Sequence, residues 1–130
     1  MERTDRETWL ERNIALYNAG DFETVSREVG AEIRMYRRSD APEANETVTG
    51  RADMEAMMKP QVFSGQRIEV LGIEHSESAM LVSTRFRAQG AGSGLPFEAE
   101  GWMVFFFDRE GVDSMEVHQE EASARASFAG

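Results

Sequence analysis

The last third of the chain largely alternates between apolar and polar residues, as strands with one buried face do. Three such runs follow one another over residues 78–90, 95–107 and 112–119. A Gly-rich segment separates the first two runs, and an Asp-Arg-Glu-Gly tip separates the last two, so both connections favour hairpin turns. Residues 4–29 instead have the apolar spacing of two short helices. Helices first and a curled meander last is the order expected of a one-domain cone around an apolar pocket.

Charge matching predicts the register of the first hairpin. If the hairpin is symmetric, Arg85 lies opposite Glu100, and Arg87 lies opposite Glu98. A one-residue slip would place unlike faces together, which disfavours it. The apolar or small pairs expected on the other face are Phe86 with Ala99, Thr84 with Gly101, and Val82 with Met103.

Local signals divide the first half of the chain into helices and strands. A Thr4–Glu7 capping box predicts the start of the first helix, and Gly20 predicts its end. Asp21 is the expected N-cap of a second helix. The other expected segments are strands at 31–38 and 65–74, a loop at 39–48, a helix at 50–59, and a short helix or frayed tail at 120–128.

Composition narrows the classes of function. The 130 residues suit a single domain spanning 1–130, and the net charge of −10 argues against nucleic-acid binding. No apolar run approaches the roughly 20 residues of a membrane helix, and the charged N-terminus has no apolar signal region. The lack of cysteine is compatible with a reducing cytosol, so a cytoplasmic location is expected. Two histidines cannot build a multi-histidine metal site, and no motif calls for a cofactor.

Five motifs give the chain a family resemblance: YNAGDF at 17–22, GRADM at 50–54, GSGLPFEAE at 92–100, FFDREG at 106–111 and EEASARASF at 120–128. It resembles the SnoaL-like and ketosteroid-isomerase-like branch of the nuclear transport factor 2-like superfamily. The resemblance implies an α+β cone, with N-terminal helices packed on a strongly curved antiparallel β-sheet, often dimeric through the outer sheet face. The superfamily includes isomerases, cyclases, epoxide hydrolases, dehydratases and noncatalytic binders.

The positions that carry catalysis in those relatives hold other residues here. The helical tyrosine that binds an enolate oxygen in ketosteroid isomerases corresponds to Asn13, and the general base to Arg37. A guanidinium stays charged and cannot remove a proton, although it can bind an anionic group. The acid on the fourth strand corresponds to Met103, and the aspartate that cyclases carry on the last strand corresponds to Val117.

The last strand leaves two alternatives open. If Val117 faces the pocket, alternation directs Glu116 and His118 outward, onto the charged face with Arg85 and Arg87. If a bulge near Asp108 reverses the facing, Glu116 and His118 become an acid/base pair inside the pocket.

Two functions follow from these considerations. One is an isomerase, cyclase or hydratase acting on a small apolar molecule of polyketide, terpenoid or steroid type. The other is a noncatalytic ligand-binding or dimeric scaffold protein, with a homodimer formed through the outer sheet face beside Trp102, Val104 and Phe106. The residues expected to line the pocket are Asn13, Tyr17, Met35, Arg37, Met57, Phe86, Met103, Phe105, Met115, Val117 and Gln119.

Overall fold

The computed structural model describes residues 2–29, 32–36, 45–59, 63–90 and 92–130. Within these ranges it has four helices and six strands. The helices are α1 (Arg3–Asn18), α2 (Phe22–Glu28), α3 (Arg51–Met58) and α4 (Glu121–Ala129). The strands are β1 (Glu32–Tyr36), β2 (Glu46–Thr49), β3 (Phe63–His75), β4 (Ala79–Gly90), β5 (Pro96–Asp108) and β6 (Gly111–His118). None of these helices has the length and apolar character needed to cross a membrane.

The described strands form one curved, open sheet in the order β2-β1-β6-β5-β4-β3. The α+β architecture predicted from the sequence is confirmed, but the sheet is mixed rather than wholly antiparallel. Strand β1 runs parallel to β6, with Ile33 beside Met115. Parallel neighbours cannot be joined by a hairpin. The chain segment that connects β1 to β6 is long and contains β2, α3, β3, β4 and β5.

The β4–β5 hairpin has the register that charge matching predicts. Arg85 lies opposite Glu100, Arg87 lies opposite Glu98, and the three apolar or small pairs are also as expected. The ion pairs are nevertheless partly diagonal. Nε of Arg85 lies 3.2 Å from Glu98 Oε1, and Nε of Arg87 lies 3.3 Å from Glu98 Oε2.

Helices cover both faces of the sheet. The concave face packs on α1, α2 and α3 around Trp9, Leu10 and Phe105. The opposite face packs on α4, where Leu81 and Val104 are completely buried. The expected alternatives for the C-terminus, a short helix or a frayed tail, therefore resolve into a helix. Because α4 covers Val104, this residue is not the exposed apolar position that the dimer hypothesis assumed.

Two local predictions are corrected. Helix α1 begins at Arg3, before the expected capping box, and its N-cap Glu2 makes no side-chain cap bond. The end of the expected 39–48 loop forms part of β2, because Thr47, Val48 and Thr49 favour extended backbone. The predicted N-cap of α2 is confirmed, since Asp21 Oδ1 accepts a hydrogen bond from the Thr24 amide at 3.2 Å.

Candidate ligand-binding site

A cavity of about 430 Å³ lies between the helices and the concave face of the sheet. Its wall is mostly apolar, because β4, β5 and β6 turn their Met, Phe, Val and Ala side chains towards it. Of the residues predicted to line a pocket, ten border this cavity: Asn13, Tyr17, Met35, Met57, Phe86, Met103, Phe105, Met115, Val117 and Gln119. Arg37 lies outside the described residues.

Sequence reasoning missed part of the wall. Trp9 borders the cavity, and its ring meets Phe105 edge to face with centroids 5.2 Å apart. Trp9 belongs to the same helical stripe as Asn13 and Tyr17, so the spacing along α1 could have identified it. Thr84 also borders the cavity, but its hydroxyl donates to the Gly101 carbonyl at 2.9 Å.

Tyr17 supplies a polar group to this apolar wall. Its hydroxyl oxygen accepts a hydrogen bond from Gln66 Nε2 at 2.7 Å, and the same nitrogen donates to the Met58 carbonyl at 2.8 Å. Burial raises the pKa of Tyr17 to about 12, against the opposing effect of the Gln66 hydrogen bond. The phenol is therefore neutral at physiological pH and keeps its hydrogen.

Asn13 lies one helical turn before Tyr17 and is buried, whereas Tyr17 is half-buried. Its amide nitrogen donates to the Trp9 carbonyl at 3.0 Å. Its oxygen Oδ1 is buried and has no hydrogen-bond partner among the described residues. Buried acceptors are usually paired, so this oxygen is an exception among the described residues.

Glu116 and His118 form a buried cluster on the opposite face of the sheet. Met115 and Val117 face the cavity, whereas Glu116 and His118 are only 3% and 2% exposed beneath α4. His118 borders the cavity, but its ring stacks on that of Tyr36, with ring centroids 4.5 Å apart. Its Nε2 lies 2.8 Å from Glu116 Oε1. Of the two facings that the sequence left open, the structure has the one in which Glu116 and His118 lie on the outer face, and α4 covers them there.

Helix α4 is fastened to this cluster by two serines one turn apart. Ser123 Oγ lies 2.8 Å from His118 Nδ1, and Ser127 donates to Glu116 Oε1. On the strand side, Arg34 Nη2 lies 3.5 Å from Glu116 Oε2. Desolvation raises the pKa of Glu116, but the hydrogen bonds from His118 and Ser127 and the charge of Arg34 outweigh it and leave the pKa below its ordinary value. The cluster thus holds an ionised carboxylate that fixes α4, outside the cavity.

A metal centre is not apparent in the described ranges, where no three His, Asp or Glu residues are grouped suitably. A second depression, of about 480 Å³, lies beside α1 and is lined by charged residues including Arg12 and Glu28. These two are already paired at 2.7 Å. The apolar cavity is therefore the better candidate for a small-molecule site.

Several solved structures share this fold. SalBIII, an epoxide hydrolase/cyclase-like enzyme with a role in pyran ring formation in polyether salinomycin, superposes with a TM-score of 0.72 at 15% identity, over 93% of this chain and 95% of the other. A putative SnoaL-like polyketide cyclase from Shewanella denitrificans gives 0.68 at 11% identity, over 98% of both chains. The chain has the SnoaL-like, nuclear transport factor 2-like fold.

A third structure of this fold contains a small ligand. It is a hypothetical protein with a ketosteroid isomerase-like fold from Catenulispora acidiphila, in complex with trimethylamine, and it gives a TM-score of 0.70 at 10% identity over 93% and 92% of the two chains. No protein-family model and no curated protein matches the sequence. At these identities the likeness shows the fold alone.

Proposed function

We propose that this protein binds a small, largely apolar molecule in the cavity between α1, α3 and the concave face of the sheet. The observation that carries the proposal is the wall itself, in which Met and Phe side chains line the cavity together with Tyr17. Cavities of this size and apolar character, with a few polar groups, suit drug-sized ligands. Polyketide-, terpenoid- or steroid-like molecules meet these requirements.

The side chains of the cavity favour binding over proton abstraction. Among the described residues that border it, Glu100 is the single carboxylate, and it is exposed. Tyr17 is neutral and can donate a hydrogen bond, but a phenol with a pKa of about 12 is a poor acceptor of a substrate proton at neutral pH. The acid positions of the ketosteroid isomerases and cyclases correspond to Met103 and Val117, which only pack.

A second candidate is an isomerase, cyclase or hydratase of the same fold. It is supported by the Tyr17 hydroxyl, since a preorganised donor in an apolar site stabilises negative charge that develops on a carbonyl oxygen. The epoxide hydrolase/cyclase-like SalBIII shows that chemistry of this kind occurs on the fold. Turnover of an apolar ketone or epoxide at a rate that Tyr17→Phe lowers would favour this candidate.

Binding can be tested with a neutral, environment-sensitive naphthalene dye. We expect saturable dye fluorescence with the wild-type protein. Ala99 is half-buried and borders the cavity, so Ala99→Phe should fill part of it and weaken binding by about tenfold or more.

The matched control is Glu98→Phe. This substitution places the same ring on the exposed side of the same strand, and dye affinity should not change. No saturable binding by the wild type, or equal affinities of the Ala99→Phe variant and the wild type, would contradict the proposal.

The homodimer through the outer sheet face and the cytoplasmic location remain predictions. In the proposed dimer, the contact uses the part of the outer face that α4 leaves open, where Arg87 and Glu98 are exposed and can pair across a two-fold axis. We expect a light-scattering mass of twice the 14.6 kDa of one chain at micromolar concentration. A monomer at that concentration would contradict the dimer without affecting the cavity proposal.

A further inference from the structure

We infer that Gly101 determines how broad a ligand the cavity accepts, because it leaves the main chain of β5 uncovered at the cavity wall. The inference rests on the proposed function, since it requires an apolar molecule in the cavity. It adds a specificity-determining residue and the ligand shape that this residue admits, a broad flat skeleton that lies directly against the strand.

Neither backbone conformation nor crowding requires glycine at position 101. The φ angle of Gly101 lies outside the left-handed region, so other residues can adopt this conformation. A Cβ atom added there would meet Thr84 Oγ1 at 3.5 Å and the His118 carbonyl oxygen at 3.7 Å, which are ordinary contacts. Glycine weakens the interior of a strand, and there it often marks a place that a ligand approaches closely.

The space in front of Gly101 belongs to the cavity. Alternation directs position 101 to the same face as Ala99 and Met103, which border the cavity. The two atoms that the added Cβ would meet lie on the neighbouring strands β4 and β6, and no atom of α1 or α3 comes within 4 Å of it. A side chain at this position would therefore project into open cavity space.

The cavity also reaches the main chain of β5 on both sides of Gly101. Alternation turns the side chains of Glu100 and Trp102 to the outer face, where Glu100 lies opposite Arg85 and Trp102 packs on the α4 side. Both residues nevertheless border the cavity, so their main-chain atoms form part of its wall. The bordering residues of this strand include an unbroken run: Ala99, Glu100, Gly101, Trp102 and Met103.

The residues around Gly101 on the cavity face are small, and they form a flat floor consisting of Thr84, Ala99 and Gly101. Thr84 lies opposite Gly101 on β4, and its hydroxyl donates to the Gly101 carbonyl at 2.9 Å. This carbonyl is therefore already hydrogen-bonded, and an apolar ligand can cover it. A two-ring skeleton can shift along the floor away from position 101, whereas a four-ring skeleton covers the whole floor.

Two neutral dyes of different breadth test the inference: the naphthalene dye, and a pyrene dye with the same substituent. Saturation of their fluorescence gives the affinities, and we expect the wild type to bind both dyes. Gly101→Val should weaken pyrene binding by about tenfold or more, and Gly101→Ala by about threefold, because the added carbons occupy space that the broad ring system needs. The naphthalene affinity should change by less than about threefold in either variant.

Thermal unfolding separates this role from a structural one. Gly101→Ala should leave the midpoint unchanged or raise it, because alanine has less conformational freedom to lose on folding than glycine. The matched control is Gly72→Val. Gly72 also lies inside a strand with φ outside the left-handed region, but it is exposed and no described atom lies within 4 Å of its added Cβ. This control should bind both dyes as the wild type does.

The outcomes separate the inference from the proposal on which it rests. A wild type that binds only the naphthalene dye, or a Gly101→Val variant that keeps its pyrene affinity or loses affinity for both dyes equally, would overturn the role of Gly101 and leave apolar binding intact. Failure of the naphthalene dye to bind the wild type would overturn the proposed function. If Gly101→Val does not fold, the pyrene affinity and midpoint of Gly101→Ala still decide the question.

Discussion

Replacing Glu116 with leucine should lower the free energy of unfolding by about 3 to 4 kcal/mol, because it leaves buried polar partners without a counter-charge. The Glu116 side chain is 4% exposed, and its carboxylate bonds His118 and Ser127 and lies 3.5 Å from Arg34. Urea unfolding followed by circular dichroism measures the change. The part of the structure most destabilised should be α4, because Ser127 on this helix donates a hydrogen bond to the Glu116 carboxylate.

An exposed glutamate on the same sheet provides the control for Glu116. The Glu98 side chain is 55% exposed and pairs with Arg85 and Arg87 in solvent, so Glu98→Leu should cost about 1 kcal/mol or less. In the double variant Glu116→Leu with His118→Leu, both ends of the buried pair are removed, and its cost should be well below the sum of the single costs. Equal costs for Glu116→Leu and Glu98→Leu would contradict the buried cluster.

The same carboxylate predicts a pH dependence of stability. The pKa of Glu116 in the folded state lies below its ordinary value of 4.5, so the ionised form favours folding. This contribution is complete above pH 4.5 and is lost as the pH falls through the folded-state pKa. The difference in unfolding free energy between the wild type and Glu116→Gln should therefore shrink from pH 7 to pH 3, and a difference that grows on acidification would have the wrong sign.

Replacing Arg6 with leucine should cost about 3 kcal/mol, because three backbone carbonyls lose a charged donor. Arg6 is 4% exposed, and its guanidinium donates to the carbonyls of Ser76, Glu77 and Ala79. The guanidinium carbon also lies 4.5 Å from the centroid of the Phe107 ring. These contacts tie α1 to the β3–β4 turn.

The conservative variant separates charge from geometry at this position. Arg6→Lys keeps the charge but replaces two donating nitrogens, Nη1 and Nη2, with a single nitrogen on a shorter side chain, so it should still cost about 2 kcal/mol. Arg12→Leu, which removes an exposed ion pair with Glu28, should cost about 1 kcal/mol or less. Thermal unfolding of the three variants measures these differences, and indistinguishable midpoints for Arg6→Leu and Arg12→Leu would refute the assigned role of Arg6.

The sequence predicts well what depends on neighbouring strands. The β4–β5 register followed from Arg85, Arg87 and the glutamates opposite them, because the paired residues are only 15 and 11 positions apart in the chain. The parallel contact of β1 with β6 was not predictable in this way. Its partners, such as Ile33 and Met115, are far apart along the chain, and no local pattern reports their pairing.

The burial of polar residues was not predictable from the sequence. Alternation places Glu116 and His118 on the outer face, but only the packing of α4 shows that this face is covered. Ser123 and Ser127, four residues apart in an Ala-rich helix, were the available signal. Arg6 gave no such signal, because arginines are usually exposed and its partners are backbone carbonyls about 70 residues away.

The candidate site was predictable on its helical side and less so elsewhere. Asn13 and Tyr17 follow from the stripe on α1, but the orientation of the Tyr17 hydroxyl depends on Gln66. That residue lies where the pairing of β3 with β4 shifts register, between Ser64 and Arg67. Irregular pairing breaks the alternation from which facing is inferred.

The most direct measurement is a crystal structure of the protein soaked with a bromine-labelled naphthalene probe. Anomalous scattering locates the bromine without reference to the protein coordinates. The proposed function predicts a bromine peak inside the cavity, between the α1 face that carries Tyr17 and the Met103 side of the sheet. A probe found only on exposed apolar side chains, such as Leu71 or Leu95, with the cavity unoccupied at saturating concentration, would contradict it.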